Sequence, residues 1–198
     1  MSIWLIGAGK MGQDYAKVLK ALDVKFEVIS RGEESASKFF DTTGIKVKTG
    51  GVSKALKEQR YPEMAIVAVG VEQLAETTAE LIKAGTKRIL LEKPGGLNIK
   101  ELQRLDDLSV KNNANVWLAY NRRFYASTIK SEKMISEDGG ISSVQFEFTE
   151  WSHKIRDLQK AHGVKKYWFL GNSTHVVDLV FYLCGEPQDW NYWHSGSL

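Results

Sequence analysis

Short apolar runs alternate with amphipathic stretches over the first 120 residues of the chain. The apolar runs predict strands at residues 3–6, 26–29, 45–47, 64–69, 88–91 and 115–119, and the amphipathic stretches predict helices at residues 11–22, 34–40, 72–84 and 99–108. Continuous apolar strands separated by crossover helices are typical of a parallel sheet covered on both faces. The pattern therefore predicts a doubly wound α/β domain over residues 1–120.

The pattern changes beyond residue 120. Residues 127–138 have helical spacing, and residues 141–151 (ISSVQFEFTEW) alternate apolar and polar positions, as a strand with one covered face does. Residues 176–183 predict another helix, and a further strand is expected to begin near Trp190. These elements predict an α+β domain with an antiparallel sheet over residues 121–198. Two strands make a poor sheet by themselves, so we expect this second domain to be truncated or completed by another chain.

The composition narrows the class of protein. With 43% hydrophobic and 26% charged residues among 198, the chain is typical of a soluble globular protein. Its first residues, MSIWLIGAGK, have neither the basic start of a signal peptide nor the length of a membrane span. The single cysteine, Cys184, excludes an internal disulfide and fits a reducing compartment. We therefore expect a cytoplasmic protein without a membrane partner.

Three glycines lie between the first predicted strand and the first predicted helix, in the sequence Gly7, Ala8, Gly9, Lys10, Met11, Gly12. At such a turn the first glycine allows a tight bend, the second lets a pyrophosphate approach the backbone, and the third lets helix and strand pack closely. The helix N-terminus adds N–H groups and the positive end of a dipole. In this context the spacing predicts a dinucleotide site.

The end of the second strand indicates which dinucleotide is bound. NAD enzymes usually carry an acid there, about 20 residues after the glycines, to bind the ribose hydroxyl. This chain has Ser30 and Arg31 instead, which suit a 2′-phosphate. We therefore expect NADP(H) in preference to NAD(H), with Glu33 or Glu34 as the acids that would serve NAD(H).

The predicted strand at residues 88–91 ends in Glu92, Lys93 and Pro94. Strand carboxyl ends face the ligand crevice of a doubly wound sheet, so Lys93 is expected on the cofactor side. A desolvated ammonium group there can exchange a proton with a substrate hydroxyl. Pro94 makes a cis peptide bond possible. Glu92 is expected either to orient Lys93 or to pair with it.

The sequence resembles the Gfo/Idh/MocA-type oxidoreductases, dinucleotide-dependent dehydrogenases that act mostly on sugars and cyclitols. The resemblance rests on the glycine turn, on Glu92-Lys93-Pro94, on YNRRF at residues 120–124, and on His175 with Asp178 in NSTHVVDLVFYLCG. It implies a Rossmann domain at residues 1–120, followed by a substrate and oligomerisation domain at residues 121–198. The sheet of that second domain commonly forms oligomer contacts, which implies a homo-oligomer.

The resemblance also implies roles for single residues. Lys93 contacts substrate and nicotinamide, and His175 helps with proton transfer. The family often has an aspartate four residues before that histidine, where this chain has Gly171; Asn172 and His153 are the candidates to replace it. Contacts from Val69 and Gly70 to nicotinamide are expected, although the residues after them depart from the family pattern.

The position of His175 leaves two interpretations open. With Ser173 or Thr174 as N-cap, His175 would lie in the first turn of its helix, where the dipole favours the neutral imidazole of a general base. The alternative is a histidine at a helix end that hydrogen-bonds to Asp178, three residues on.

Residues 154–168 carry five cationic side chains and a single acid, Asp157. Such a run is usually a solvated loop, and the functional alternative is a clamp for a phosphorylated or carboxylated sugar. No RNA-binding motif accompanies it, so we expect no nucleic acid partner. No residue is assigned as a metal ligand.

These features predict an oxidoreductase that transfers hydride between NADP(H) or NAD(H) and a hydroxyl-bearing carbon of a sugar, cyclitol or nucleotide-sugar-like substrate. Lys93 and His175 would be catalytic, and the candidates for substrate binding are Asn121, Arg122, Asp178, Asn172 and His153. One alternative is an enzyme that uses bound NAD without net redox. The other is a catalytically silent sensor of the dinucleotide.

Overall fold

A computed structural model describes residues 2–193 and residue 195 of the chain. Its helices and strands are, in order, β1 (Ile3–Ile6), α1 (Lys10–Ala21), β2 (Glu27–Ile29), α2 (Glu33–Thr43), β3 (Val47–Lys48), α3 (Gly51–Glu58), β4 (Met64–Val67), α4 (Val71–Ala84), β5 (Arg88–Leu91), α5 (Ile99–Lys111), β6 (Asn115–Leu118), α6 (Ala126–Glu137), α7 (Ser152–Arg156) and α8 (Thr174–Cys184). Short 3-10 turns occupy Asn121–Phe124 and Lys165–Tyr167, and a π-helical turn at Phe169–Ser173 directly precedes α8.

The six strands form one parallel sheet in the order β3-β2-β1-β4-β5-β6. The central strand β1 pairs with β2 on one side and β4 on the other, so that Leu5 lies between Val28 and Ile66. This is the strand order of a Rossmann fold. The predicted doubly wound α/β architecture is confirmed, and all six carboxyl ends lie at the same edge of the sheet.

One layer of helices covers each face of the sheet, and alternate side chains of β1 pack against the two layers. Trp4 and Ile6 pack in a core that includes residues of α3, α4 and α5, such as Leu74. Leu5 points the opposite way and packs with residues of α1 and α2, such as Phe39. Because both faces are covered, all four residues of β1 are buried, which explains the uninterrupted apolar run in the sequence.

The helix α3 was not predicted from the sequence. It has eight residues, begins at Gly51 without a side-chain cap, and shows few apolar positions. Gly51, the first residue inside the helix, is a poor helix former by propensity. Burial of Val52 and Ala55 against the sheet is what holds α3 in place, so tertiary packing overrides the weak local signal.

The prediction of a strand at residues 141–151 is wrong, because these residues form no strand in the structure. All of them except Phe148 are exposed, so no layer covers the alternating apolar positions. All strand pairing in the described residues belongs to the six-stranded sheet, and an extended segment becomes a strand only with a partner. Residues 190–193 likewise form no strand, and the end of the strand predicted near Trp190 lies outside the described residues. The antiparallel sheet expected for the second domain is therefore not shown.

The chain divides into two compact units. The first comprises the residues up to Ala119 together with Gln159–Asn172, and it contains the whole sheet. The second comprises Tyr120–Leu158 and the residues from Ser173 onward, with helices α6, α7 and α8. The predicted boundary at residue 120 assigns residues 159–172 to the second domain, whereas their contacts group them with the first unit.

Candidate functional site

A cleft of about 870 Å³ opens at the carboxyl edge of the sheet, within the first unit. A volume of this size is typical of small-molecule sites. Residues predicted to bind cofactor line it, namely Gly7, Ala8, Gly9, Lys10, Met11, Ser30, Arg31, Val69, Gly70, Glu92 and Lys93. Of the remaining two, Gly12 packs beneath the turn, and Pro94 is buried.

Close backbone contacts within the protein require glycine at positions 7 and 12. Gly7 has a φ of +117°, and a Cβ on it would lie 2.2 Å from the backbone oxygen of Ala68. A Cβ on Gly12 would lie 2.1 Å from the backbone oxygen of Gly7. Neither backbone can move aside without disturbing the sheet, so both positions must be glycine for β1, α1 and β4 to pack this closely.

Gly9 differs, because the fold gives no reason for a glycine there. Its φ is −82°, which any residue adopts, and a Cβ on it would meet no protein atom within 4 Å. Gly9 is also the N-cap of α1, whose first turn has no side-chain cap and no acidic residue. Free N–H groups and a positive dipole end therefore face an open space in the cleft. The pyrophosphate of a dinucleotide fits this arrangement.

The end of β2 presents a hydroxyl and a guanidinium group to the cleft. The Ser30 hydroxyl lies 2.9 Å from that of Ser35, which donates to the backbone oxygen of Gly32 at 3.0 Å. The stem of Arg31 passes close to Gly51, at the start of α3.

The two acids that could serve a ribose instead have other partners. Glu33 accepts a hydrogen bond from Thr49, and Glu34 accepts one from Lys38 at 2.6 Å. The pKa of Glu34 is lowered by that bond. Both acids are thus engaged within the protein, while Arg31 lines the cleft.

The Lys93–Pro94 peptide bond is cis. Glu92 lies in the cleft, and the hydroxyl of Tyr15 on α1 donates to its Oε1 atom at 2.6 Å. Burial, together with the neighbouring carboxylate, raises the pKa of Tyr15 above its ordinary value, so this donor stays protonated. The sequence left Glu92 as an orienting group or a salt partner of Lys93; the structure gives it an anchor on the adjacent helix.

The ammonium group of Lys93 donates a hydrogen bond to the backbone oxygen of Gly171 at 2.8 Å. Lys93 is half-buried and belongs to the lining of the cleft. Gly171 lies in the π-helical turn before α8 and, with Asn172, in the part of the chain that groups with the first unit. The position where the family often has an aspartate therefore contacts Lys93 through its backbone, and Asn172 beside it is exposed.

Asp178 is held in the second unit by Arg123. Both of its carboxylate oxygens accept hydrogen bonds from the guanidinium group, one at 2.9 Å, and the Asp178 side chain is only 9% exposed. The hydrogen bonds that Arg123 donates to Asp178 raise the pKa of Arg123. Tyr120 and Tyr182 also contact Arg123, with ring centroids 5.7 and 4.9 Å from its Cζ atom. The pair ties the Asn121–Phe124 turn to α8, while the substrate role of Asp178 stays a prediction.

His175 lies in the first turn of α8, as predicted, but not at an open helix end. The π-helical turn precedes Thr174 without a break, and the Ser173 side chain makes no cap. Instead the Ser173 hydroxyl donates to Glu150 at 2.6 Å. The dipole argument for a neutral His175 therefore loses its basis, because the turn before it occupies the helix N-terminus. The ring of His175 contacts the Tyr120 ring edge-on, with centroids 5.8 Å apart.

The other second-unit candidates lie in short segments. Asn121 and Arg122 belong to the 3-10 turn, where the Arg122 backbone oxygen accepts a bond from Thr128 at 2.8 Å. His153, in α7, stacks on Trp151, the residue before that helix, with ring centroids 6.0 Å apart. Their predicted contacts with substrate stay predictions.

The sequence reasoning missed several residues that line the cleft. They lie at the start of α3 and along α4, and they are Gly50, Gly51, Val52, Ser53, Gln73, Glu76, Thr77 and Glu80. One signal could have identified the first of these, because the Gly50-Gly51 pair comes one residue after the end of β3, near the carboxyl edge, much as Gly7 follows β1. Within residues 2–193 and 195, no helix is long and apolar enough to cross a membrane, and no three His, Cys, Asp or Glu side chains form a metal-binding group.

Comparison with known proteins gives the family. Residues 1–120, more than half of the chain, match the model of the Gfo/Idh/MocA oxidoreductase family, described as an NAD-binding Rossmann fold. The chain belongs to the Gfo/Idh/MocA family. Myo-inositol 2-dehydrogenase of Thermotoga maritima is 24% identical to this family member over 201 residues, which cover 94% of the chain and 55% of the relative.

Solved structures of similar fold include two dehydrogenases with bound ligands. Levoglucosan dehydrogenase in complex with NADH and L-sorbose has a TM-score of 0.74 at 20% identity, covering 94% of this chain and 54% of that one. The WlbA dehydrogenase of Bordetella pertussis, in complex with NADH and UDP-GlcNAcA, has a TM-score of 0.73 at 16% identity, covering 93% and 59%. This Gfo/Idh/MocA member thus spans about half the length of the relatives it matches.

Proposed function

We propose that the chain binds NADP(H) in its cleft and oxidises or reduces a hydroxyl-bearing carbon of a sugar-like substrate. The observation that carries the proposal is the open space at Gly9, at an uncapped helix N-terminus in a cleft that also contains Lys93. The relatives support the substrate class, since they include a myo-inositol dehydrogenase and structures named as complexes with L-sorbose and UDP-GlcNAcA.

The proposed reaction consists of a hydride transfer and a proton transfer. When bound, the nicotinamide supplies the acceptor for the hydride that leaves the carbinol carbon. The neutral amine of Lys93 takes the proton of the hydroxyl as the carbonyl forms and becomes an ammonium group, and in the reverse direction that ammonium group returns the proton. The Gly171 carbonyl keeps the ammonium group of Lys93 in place, and Tyr15 fixes Glu92 beside it through their hydrogen bond.

The remaining roles rest on the family pattern. We propose His175 as the group that relays the proton from Lys93. Residues 1–120 would form the cofactor domain, and residues 121–198 would contribute to the substrate and oligomerisation domain of a homo-oligomer. Light scattering of the purified chain measures the mass of the assembly and tests the proposed oligomer. The substrate contacts proposed here are Asn121, Arg122, Asp178, Asn172 and His153.

The preference for NADP(H) is proposed on the polar groups at the end of β2. Arg31 lines the cleft, and its fork of N–H donors matches a 2′-phosphate. Glu33 and Glu34, which would favour a ribose hydroxyl, are bonded to Thr49 and Lys38.

Calorimetric titration of NADPH and NADH into the full chain tests this preference. NADPH should bind more tightly, and Arg31→Gln should weaken it by roughly 10- to 100-fold, the loss of one or two charge-assisted hydrogen bonds. Arg60→Gln, which removes an exposed arginine from the loop before β4, is the matched control. Equal binding of both dinucleotides would remove the role of Arg31, and binding of neither would remove the proposed function.

A silent nucleotide sensor is the second candidate, favoured by the backbone carbonyl at Gly171 in place of a carboxylate beside Lys93. The two differ in what Lys93→Ala does. An enzyme loses turnover, measured by the absorbance of the reduced nicotinamide, whereas a sensor retains its dinucleotide affinity and has no turnover to lose.

A further inference from the structure

Glu72 holds a carboxylate over the residues that follow β4, inside the cleft. It lies in the first turn of α4, and its two carboxylate oxygens would be 2.5 and 2.7 Å from a Cβ on Gly70. The side-chain amide of Gln73 donates a hydrogen bond to the carboxylate at 2.7 Å. All three residues line the cleft. Gly70, for which the sequence predicts a contact with nicotinamide, therefore lies beside a negative charge.

The charge of Glu72 is not balanced by an ion pair. The group that donates to it is a neutral amide, and no salt bridge in the described part of the chain involves Glu72. Glu76, one turn further along α4, differs, because its carboxylate pairs with Arg104 at 2.7 Å. At the end of β5 the opposite charges of Glu92 and Lys93 offset each other. Glu72 therefore leaves a net negative charge in the lining at the ends of β4 and β5.

The strand order indicates which end of the cleft Glu72 occupies. A dinucleotide lies across such a crevice with its pyrophosphate at the first βα turn, which follows β1. Ser30 and Arg31, the proposed partners of the adenosine 2′-phosphate, follow β2 on one side of β1. Because β4 lies on the other side of β1, the nicotinamide nucleoside would lie over the end of β4, where Glu72 is.

The two redox states of nicotinamide differ in charge at this end. The oxidised ring is a cation and the reduced ring is neutral, so a nearby carboxylate attracts the oxidised form and has little effect on the reduced one. The N-terminus of α4 offsets only about half of the charge of Glu72. The remaining cations of the lining, Lys10 and Arg31, follow β1 and β2 instead. The charge beside the ring is therefore negative.

We propose that Glu72 makes the cleft bind the oxidised dinucleotide, NADP⁺, more tightly than NADPH. This inference rests on the proposed function, since it concerns the cofactor of the same site. Tighter binding of the oxidised form makes the bound reduced form the stronger hydride donor, so the bound dinucleotide favours reduction of a carbonyl carbon. Glu72 is thereby a specificity-determining residue for the redox state of the cofactor.

The test compares the dissociation constants of the two redox states. NADP⁺ and NADPH are each titrated calorimetrically, without substrate, into the full chain and into its Glu72→Gln variant. We expect NADP⁺ to bind the wild type more tightly than NADPH does. In Glu72→Gln the ratio of the Kd of NADPH to the Kd of NADP⁺ should fall about fivefold, the size expected for one partly exposed charge at close range.

The ratio separates the effect of charge from structural damage. A lost hydrogen bond or a loosened segment weakens the binding of both redox states and cancels in the ratio, whereas the charge acts on the oxidised form. Glutamine also keeps an oxygen that can accept from Gln73. Glu63→Gln is the matched control, since it removes the same charge at an exposed position just before β4, at the opposite edge of the sheet. Salt screens a charge at that distance, so this variant should leave the ratio unchanged.

Several results would overturn the inference. Tighter binding of NADPH than of NADP⁺ to the wild type would do so, as would an unchanged ratio in Glu72→Gln or an equal fall in Glu63→Gln. Weaker binding of both redox states to Glu72→Gln, at a constant ratio, would assign Glu72 a contact with the ribose hydroxyls instead. The same titrations separate the two levels: if the dinucleotide binds and the ratio does not respond, only this inference has failed, and if neither redox state binds, the proposed function has failed as well.

Discussion

Replacing the three glycines of the first βα turn by alanine, one at a time, should separate stability from dinucleotide binding. Gly9→Ala adds a methyl group to open space at a backbone conformation that alanine adopts readily. Alanine is a poorer N-cap than glycine by about 0.5–1 kcal/mol. Its lower entropy in the unfolded chain compensates by a similar amount, about 0.4–1 kcal/mol. The free energy of unfolding should therefore change by less than about 0.5 kcal/mol.

The other two substitutions should destabilise strongly. At Gly7, alanine must adopt a φ of +117° and place its Cβ 2.2 Å from the Ala68 oxygen. Backbone strain of about 1–3 kcal/mol adds to a similar cost of overpacking, so a loss of about 3 kcal/mol or more is expected. At Gly12 the Cβ would be 2.1 Å from the Gly7 oxygen, and the better helix propensity of alanine recovers only about 1 kcal/mol.

Gly9→Ala, the substitution with the smallest effect on stability, should have a large effect on the binding of NADPH. If phosphates approach the backbone at Gly9, a Cβ there displaces them from the N–H groups of α1, and the Kd of NADPH should rise at least about tenfold for 1.4 kcal/mol lost. Urea unfolding followed by circular dichroism measures the stability of each variant, and calorimetry measures the binding. A stable Gly9→Ala protein that binds NADPH like the wild type would refute the placement of the pyrophosphate. A Gly7→Ala protein of normal stability would refute the close approach of β1 and β4.

Three further changes test other parts of the structure. Asp178→Asn should lower the free energy of unfolding by about 2 kcal/mol, less than the loss of a fully buried ion pair, because Arg123 is partly exposed. An unchanged thermal unfolding midpoint would show that the Arg123–Asp178 pair does not hold α8 in place. Thr86→Val should raise the free energy of unfolding by up to about 1 kcal/mol, since it removes a buried hydroxyl that has no hydrogen-bond partner; a clear loss in urea unfolding would show that the hydroxyl is bonded. Tyr15→Phe should remove part of the stability loss at alkaline pH. Burial and Glu92 raise the pKa of Tyr15 in the folded protein, so the protonated tyrosine stabilises the fold. The wild type has this stabilisation in full below the ordinary tyrosine pKa and loses it as the pH rises through the raised pKa. Urea midpoints that fall equally for both proteins above pH ~10 would contradict that reasoning.

The sequence was sufficient for the elements that have a strong periodic signal. Strand β1 reads IWLI because both of its faces are covered, and the glycines after it follow from contacts that the structure shows directly. The strand order then follows from the alternation of strands and helices, since crossover rules leave few arrangements.

The elements that the sequence predicted wrongly, or did not predict, depend on contacts with residues that are distant in sequence. Helix α3 is held by the core and not by its own residues, so its short pattern was not recognised. The alternation of residues 141–151 correctly describes a segment that could line a sheet, but the described chain supplies no strand beside it.

In the candidate site, the residue types at the glycine turn and at Lys93 could be predicted from motifs. Their hydrogen-bond partners could not, because Tyr15 and Gly171 each lie 77 or 78 residues away from the groups they contact. The same holds for Asp178: its spacing from His175 was visible, but its pairing with Arg123, 55 residues earlier, was not.

The central position of β1 has a consequence for how the protein folds as it is synthesised. Ile3 pairs with Met64, so one edge of β1 stays without a partner until β4, about 60 residues later in the chain, has emerged from the ribosome. During that interval a wholly apolar segment exposes unpaired N–H and C=O groups, which is the kind of surface that other chains or chaperones bind. Parallel pairing across such a separation is also intrinsically slow. The same strand that makes the mature core secure is therefore the part of the nascent chain most in need of protection.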